Sequence, residues 1–168
     1  DIDGDGRIDV IVANDSTPNF VWRNRTLRGS RDVVFEDAAF ECGMALSSTG
    51  KAEACMGIDG GDVDHDGHLD YYITNFAQET DPLYFGEGGG FFTDGSTRSG
   101  IGRLSFAPLG FGTRLFDRDL DGDLDVSQDK IDFEAGFGAP EADLVLGAAI
   151  SGVGAQFGEN EMLEGLAE

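Results

Sequence analysis

Asp62-Val63-Asp64-His65-Asp66-Gly67-His68-Leu69-Asp70 runs directly into Tyr71-Tyr72-Ile73-Thr74-Asn75. Aspartate stands at positions 1, 3, 5 and 9 of this nonapeptide, glycine at 6 and an aliphatic residue at 8. The arrangement recurs at Asp1-Ile-Asp3-Gly-Asp5-Gly6-Arg7-Ile8-Asp9 and at Asp117-Arg-Asp119-Leu-Asp121-Gly122-Asp123-Leu124-Asp125, with starts 61 and 55 residues apart. Self-similarity at such a period is the mark of a repeat architecture. It continues outside the loops. Asn14 and Asn75 each fall thirteen residues after a loop start, and Pro18 and Pro82 lead into Phe20-Val-Trp22 and Leu83-Tyr-Phe85. A shared F-x-D-x₅-G follows at Phe35, Asp37, Gly43 and at Phe92, Asp94, Gly100, and Gly57 and Gly112 each stand five residues before the next loop.

Between the loops, short runs rich in Val, Ile, Tyr and Phe alternate with Gly, Asn, Asp and Pro, which is strand-and-turn chemistry. No long helical period with caps interrupts them. The expected fold is therefore all-β: consecutive four-stranded units, about two to three of them, in a radial or stacked array of which the β-propeller is the common form. The repeat covers residues 1–126. From 127 to 168 it lapses, Ser127-Gln-Asp-Lys130 replacing the apolar runs that follow the first two loops. This Ala/Gly/Glu-rich tail is expected to be a partial unit or disordered, with a strand at Ala142–Leu146 and a frayed helix from Asn160 to Glu168.

The chain carries 33 acidic and 11 basic residues, a formal charge of −22, which disfavours nucleic acid and anionic membrane surfaces as partners. Disorder is the reading such charge invites, but a 40% apolar composition and 13 phenylalanines argue against it up to Val126. No apolar run approaches the length of a membrane span. Residue 1 is already the first position of a loop, so a piece of a longer protein is expected. Cys42 and Cys55 leave both a local disulfide and two buried thiols open, the bridge being slightly favoured.

The loops point to calcium. This hard cation takes six to eight oxygen ligands, and carboxylates at positions 1, 3 and 5 converge if the chain curls at a glycine. The candidate ligands are Asp1, Asp3, Asp5 and Asp9; Asp62, Asp64, Asp66 and Asp70; and Asp117, Asp119, Asp121 and Asp125. Position 7 adds a backbone carbonyl from Arg7, His68 or Asp123. In this reading the aspartate at 9 closes the cage and the aliphatic residue at 8 anchors the loop in the core. The loops hold 13 of the 33 acidic side chains, so about three bound ions would relieve much of the charge. Solvated acidic turns are the plain alternative, weakened by threefold recurrence. Zinc is disfavoured without cysteine or systematic histidine, and His65 and His68 are expected to face solvent. Magnesium prefers fewer carboxylates. An EF-hand needs a glutamate at position 12, where Val12, Ile73 and Gln128 stand.

These loops, with Ile11-Val-Ala-Asn14, Ile73-Thr-Asn75, Phe35-Glu-Asp37, Phe92-Thr-Asp94, Met56-Gly57 and Phe111-Gly112, resemble the FG-GAP/VCBS repeats of integrin α-subunits and bacterial surface proteins. The closest flavour is the ASPIC/UnbV and cartilage-acidic-protein group. The resemblance implies a seven-bladed propeller with calcium between two strands of a blade, in a secreted or surface-attached protein. The same aspartates inherit the ligand role. With material for two to three blades, a monomer cannot close the ring.

The expected function is a non-enzymatic, calcium-stabilised scaffold of an extracellular binding or adhesion protein, its partner a protein or carbohydrate that no residue names. Self-association through open sheet edges is expected as well. An enzyme, such as the propeller part of a polysaccharide-active protein, is the rival class, and an EF-hand-like buffer or sensor a further one. No catalytic constellation supports the enzyme: both histidines lie in one loop, and Lys51 is the single lysine before the tail. Asn14-Asp-Ser16 and Asn24-Arg-Thr26 match the glycosylation pattern.

Overall fold

A computed structural model of the chain describes residues 1–107, 109–131 and 142–146. Three antiparallel sheets follow one another. The first contains β1 (Val10–Val12), β2 (Phe20–Asn24) and β3 (Phe35–Asp37), in that order, followed by the short helix α1 (Ala39–Cys42). The second contains β4 (Cys55–Gly61), β5 (Asp70–Asn75), β6 (Leu83–Gly86) and β7 (Phe92–Asp94), followed by α2 (Ser96–Ser99) and α3 (Ile101–Ser105). The third contains β8 (Leu109–Phe116), β9 (Asp125–Ile131) and β10 (Ala142–Leu146), in spatial order β10-β9-β8. The all-β expectation holds at this level. Among the described residues only the second sheet has the four strands expected of a unit.

The loops tie the sheets together as repeats. The second joins β4 to β5, the third joins β8 to β9, and the first leads into β1. β1, β2 and β3 thus correspond to β5, β6 and β7. Where β5 has β4 beside it, β1 is an edge strand among the described residues. Strands stand on both sides of the second and third loops, an arrangement unlike the helix–loop–helix of an EF-hand.

Two cores result. Val21, Cys42, Met44, Ile73, Tyr84 and Phe92 pack in one, and Val63, Tyr72, Leu83, Phe85, Ile101, Leu115 and Val126 in the other. Adjacent residues Tyr72 and Ile73 enter different cores because successive strand side chains point to opposite faces. Covered on both sides, β5 has no polar-out alternation. The edge strands β4 and β8 of neighbouring sheets approach backbone to backbone, each with an irregularity in register near Gly57 or Gly112. A Cβ on Gly57 would lie 2.3 Å from the Phe111 carbonyl oxygen. That contact accounts for the glycine five residues ahead of the second loop.

The F-x-D-x₅-G motif is a strand-to-helix turn. Asp37 Oδ1 accepts the N–H of Ala39 at 3.1 Å, and Asp94 Oδ1 that of Ser96 at 2.9 Å. Gly43 and Gly100 end the short helices in the left-handed region, with φ of 90° and 79°. Asn14 and Asn75 brace the turns after β1 and β5, donating Nδ2–H to the carbonyls of Pro18 (2.7 Å) and Thr80 (2.8 Å). Asn24 likewise donates to the Ile8 carbonyl at 3.2 Å, so both glycosylation-pattern asparagines have their amide nitrogens engaged.

Several expectations are corrected. Position 8 does not anchor the first two loops, because Ile8 is 79% and Leu69 45% exposed; only Leu124 packs against a core. Position 2 turns inward instead, with Val63 2% exposed and Ile2 packed on the first core. The two thiols are free, since Cys42 Sγ–H is directed to the Ala39 carbonyl at 3.6 Å and Cys55 Sγ–H to Asn19 Oδ1 at 3.5 Å. Burial pushes the Cys55 thiol up to about 12. Ser127–Lys130, where the pattern lapses, lies within β9, since backbone ladders tolerate the change and Gln128 Oε1 meets the buried Tyr72 hydroxyl at 2.5 Å. Ala142–Leu146 is a strand as expected; the helix expected from Asn160 lies outside the described residues. Among the described residues no helix is long and apolar enough to cross a membrane.

Candidate metal centres

Each loop is wired by its own aspartates. The position-1 carboxylate accepts backbone N–H groups from positions 5 and 6: Asp1 from Asp5 (3.0 Å) and Gly6 (2.9 Å), Asp62 from Asp66 (3.1 Å) and Gly67 (3.0 Å). In the third loop Asp117 accepts from Gly122 at 3.0 Å. The position-5 carboxylate accepts the N–H of position 7, Asp5 from Arg7 at 2.9 Å, Asp66 from His68 at 2.8 Å and Asp121 from Asp123 at 2.9 Å. Such bonds curl the backbone within a few residues. Gly6, Gly67 and Gly122 take positive φ of 81°, 88° and 99°, as the sharp turn requires. Position 4 is left-handed too, at Gly4 (75°), His65 (61°) and Leu120 (64°). Sequence reasoning missed this position because only the first loop signals it with glycine.

Position 9 is placed differently from the others. Asp9 Oδ2 accepts the N–H of Ile2 and its Oδ1 that of Asn24, both at 2.8 Å. Asp70 repeats this with Val63 (2.7 Å) and Gly86 (2.8 Å), and Asp125 accepts from Arg118 at 3.0 Å. This aspartate staples the loop's start to its end and, in the first two units, to the strand beyond. Burial is the main influence raising the Asp70 pKa, opposed by those two backbone donors.

Three carboxylates converge in each loop, and in the third loop position 9 is one of them. Ligand-capable oxygens of Asp1, Asp3 and Asp5 lie within 4.8 Å of one another, as do those of Asp62, Asp64 and Asp66, and those of Asp117, Asp119 and Asp125. Asp9, Asp70 and Asp121 are not in these groups. Position 7, whose carbonyl was the expected donor at Arg7, His68 and Asp123, has its N–H on the position-5 carboxylate.

The donor set fits a hard cation, being all oxygen. Two of its oxygens, Asp3 Oδ1 and Asp117 Oδ1, are buried without a hydrogen-bond partner among the described residues. A buried carboxylate oxygen left unpaired is costly, and an ion among the aspartates would satisfy it. Other charges enter as well. Arg7 pairs with Asp5, and Arg25 with Asp3 at 3.1 Å and Glu36 at 3.1 Å. His65, half exposed, meets Asp123 of the third loop at 3.0 Å, a hydrogen bond that raises its pKa.

Residues 1–73 match the family model described as FG-GAP-like repeat. No curated protein matches the chain. The matched segment spans the first two loops, the whole first sheet and strand β4 up to the middle of β5. Residues 1–73 are thus similar to FG-GAP-like repeats.

Proposed function

We propose that the three loops bind calcium and that the chain is a non-enzymatic part of a β-propeller in a secreted or surface-attached binding or adhesion protein. The supporting observation is a converging trio of carboxylates in each loop, from positions 1, 3 and 5 in the first two and 1, 3 and 9 in the third, with Asp3 Oδ1 and Asp117 Oδ1 buried and unpaired among the described residues. Asp1, Asp3 and Asp5, then Asp62, Asp64 and Asp66, then Asp117, Asp119 and Asp125 would hold the ions. Each ion would supply the positive charge that lets acidic turns close between strands. In this reading the sheets are blades, the open edge of β1 favours self-association, and kinship is nearest the ASPIC/UnbV and cartilage-acidic-protein group. The partner is a protein or a carbohydrate.

Calorimetric titration of the chain should show about three calcium ions with dissociation constants of ~10⁻⁴–10⁻³ M, as in extracellular modules. Asp66→Ala should lower the count by one, and chelation should lower the melting temperature where magnesium restores it poorly. A folded chain that takes up no calcium would sink the reading.

A further inference from the structure

The loops share their wiring but not their surroundings. In the first, Arg7 Nε–H donates to the Asn24 carbonyl at 2.6 Å, which holds the guanidinium against Asp5. Arg25, one residue past β2, reaches back across 22 positions to Asp3 at 3.1 Å. The repeat makes the comparison direct. Asn24 and Gly86 are equivalent, since their N–H groups donate to the Oδ1 atoms of Asp9 and Asp70. Residue 25 therefore corresponds to 87, and 7 to 68. The second unit has exposed Glu87 and His68 where the first has Arg25 and Arg7. Among the described residues no arginine or lysine pairs with the aspartates of the second or third loop.

Resting on the calcium reading, we propose that the three sites are unequal: Arg7 and Arg25 are built-in counter-cations of the first loop, which makes it the weakest calcium site and the one least dependent on calcium for its shape. The first loop's four aspartates, the two guanidiniums and Glu36, which shares Arg25, sum to about −3, whereas the second loop's four aspartates with Glu87 sum to about −5. A fixed positive charge beside a half-exposed divalent site changes its affinity by on the order of tenfold. The guanidinium also holds Asp3 Oδ2, which leaves Asp3 only Oδ1 for an ion.

The test is a calcium titration by calorimetry on the full chain, with melting curves in chelator. The wild-type chain should show two tighter ions and one weaker. Arg25→Gln should tighten the weak site about tenfold, leave the other two unchanged and lower the melting temperature in chelator. The reciprocal change Glu87→Arg, on an exposed side chain, should weaken one of the tight sites about tenfold, and this holds the inference to account even if Arg25→Gln fails to fold. Three equal affinities in the wild-type chain, or Glu87→Arg leaving all three unchanged, would overturn the inequality alone. Absence of any calcium uptake would overturn the calcium reading and this inference with it.

Discussion

The Asp70 carboxylate, fully buried, accepts the backbone N–H of Gly86 at 2.8 Å and so ties the second loop to the end of β6. Its other oxygen accepts the N–H of Val63 at 2.7 Å. Asp66 by contrast is exposed and holds one N–H, that of His68. Asp70→Ala should therefore cost ~2–4 kcal/mol in chelator, because it strands two backbone donors, one of them on a buried strand. Asp66→Ala should cost about 1 kcal/mol there, its larger effect appearing only with calcium. Denaturant melts of both variants with and without chelator check this. Equal losses in chelator would show that position 9 is not the staple.

Leu120 occupies position 4 of the third loop with φ of 64° and a side chain 86% exposed. The left-handed region costs a branched side chain ~1–2 kcal/mol, and Leu120 has little packing to lose. Leu120→Gly should stabilise by about 1 kcal/mol after the entropy of an added glycine is set against the relief. Unchanged or reduced stability would mean that the strain is absent.

Gly57 stands under the Phe111 carbonyl, where a methyl would sit 2.3 Å from the oxygen and 2.9 Å from Thr74 Oγ1. Both close atoms belong to strands, and one is backbone. Gly57→Ala should separate β4 from β8 and lose about 2 kcal/mol or more, as overpacking does. A loss under ~0.5 kcal/mol by chemical denaturation would contradict this close approach.

Glu53 carries the clearest pH signature. Burial, then repulsion from Glu79, raises its pKa from the ordinary 4.5 to about 7, although Asn75 Nδ2–H donates to it at 2.7 Å. A carboxylate whose folded pKa is raised costs nothing below its unfolded value. The penalty grows between pH 4.5 and 7 and is complete above it. Glu53→Gln keeps the oxygen that faces Asn75 and removes the charge. It should leave the melting temperature near pH 4.5 unchanged and raise it by a few degrees at pH 8, both measured in saturating calcium. A gain of the same size at both values would place its origin elsewhere than in ionisation.

The loops, strands and strand-to-helix turns were legible in the sequence because their determinants are local. Asp1 bonds to N–H groups four and five residues on, Asp37 to one two residues on, and the glycines at 6, 43 and 100 mark backbone that other residues resist. Spacing alone carries such bonds, and threefold recurrence lifts them above ordinary turn chemistry. What covers each side chain was not legible, since that depends on partners far along the chain. Only the folded arrangement decided that Val63 turns inward while Leu69 stays largely exposed, and that the two thiols take separate acceptors. It alone set Arg25 against Asp3 and His65 against Asp123, 22 and 58 residues away. A repeat specifies the shape of its own unit through short-range bonds, whereas burial and ion pairing between units are properties of the packed sheets.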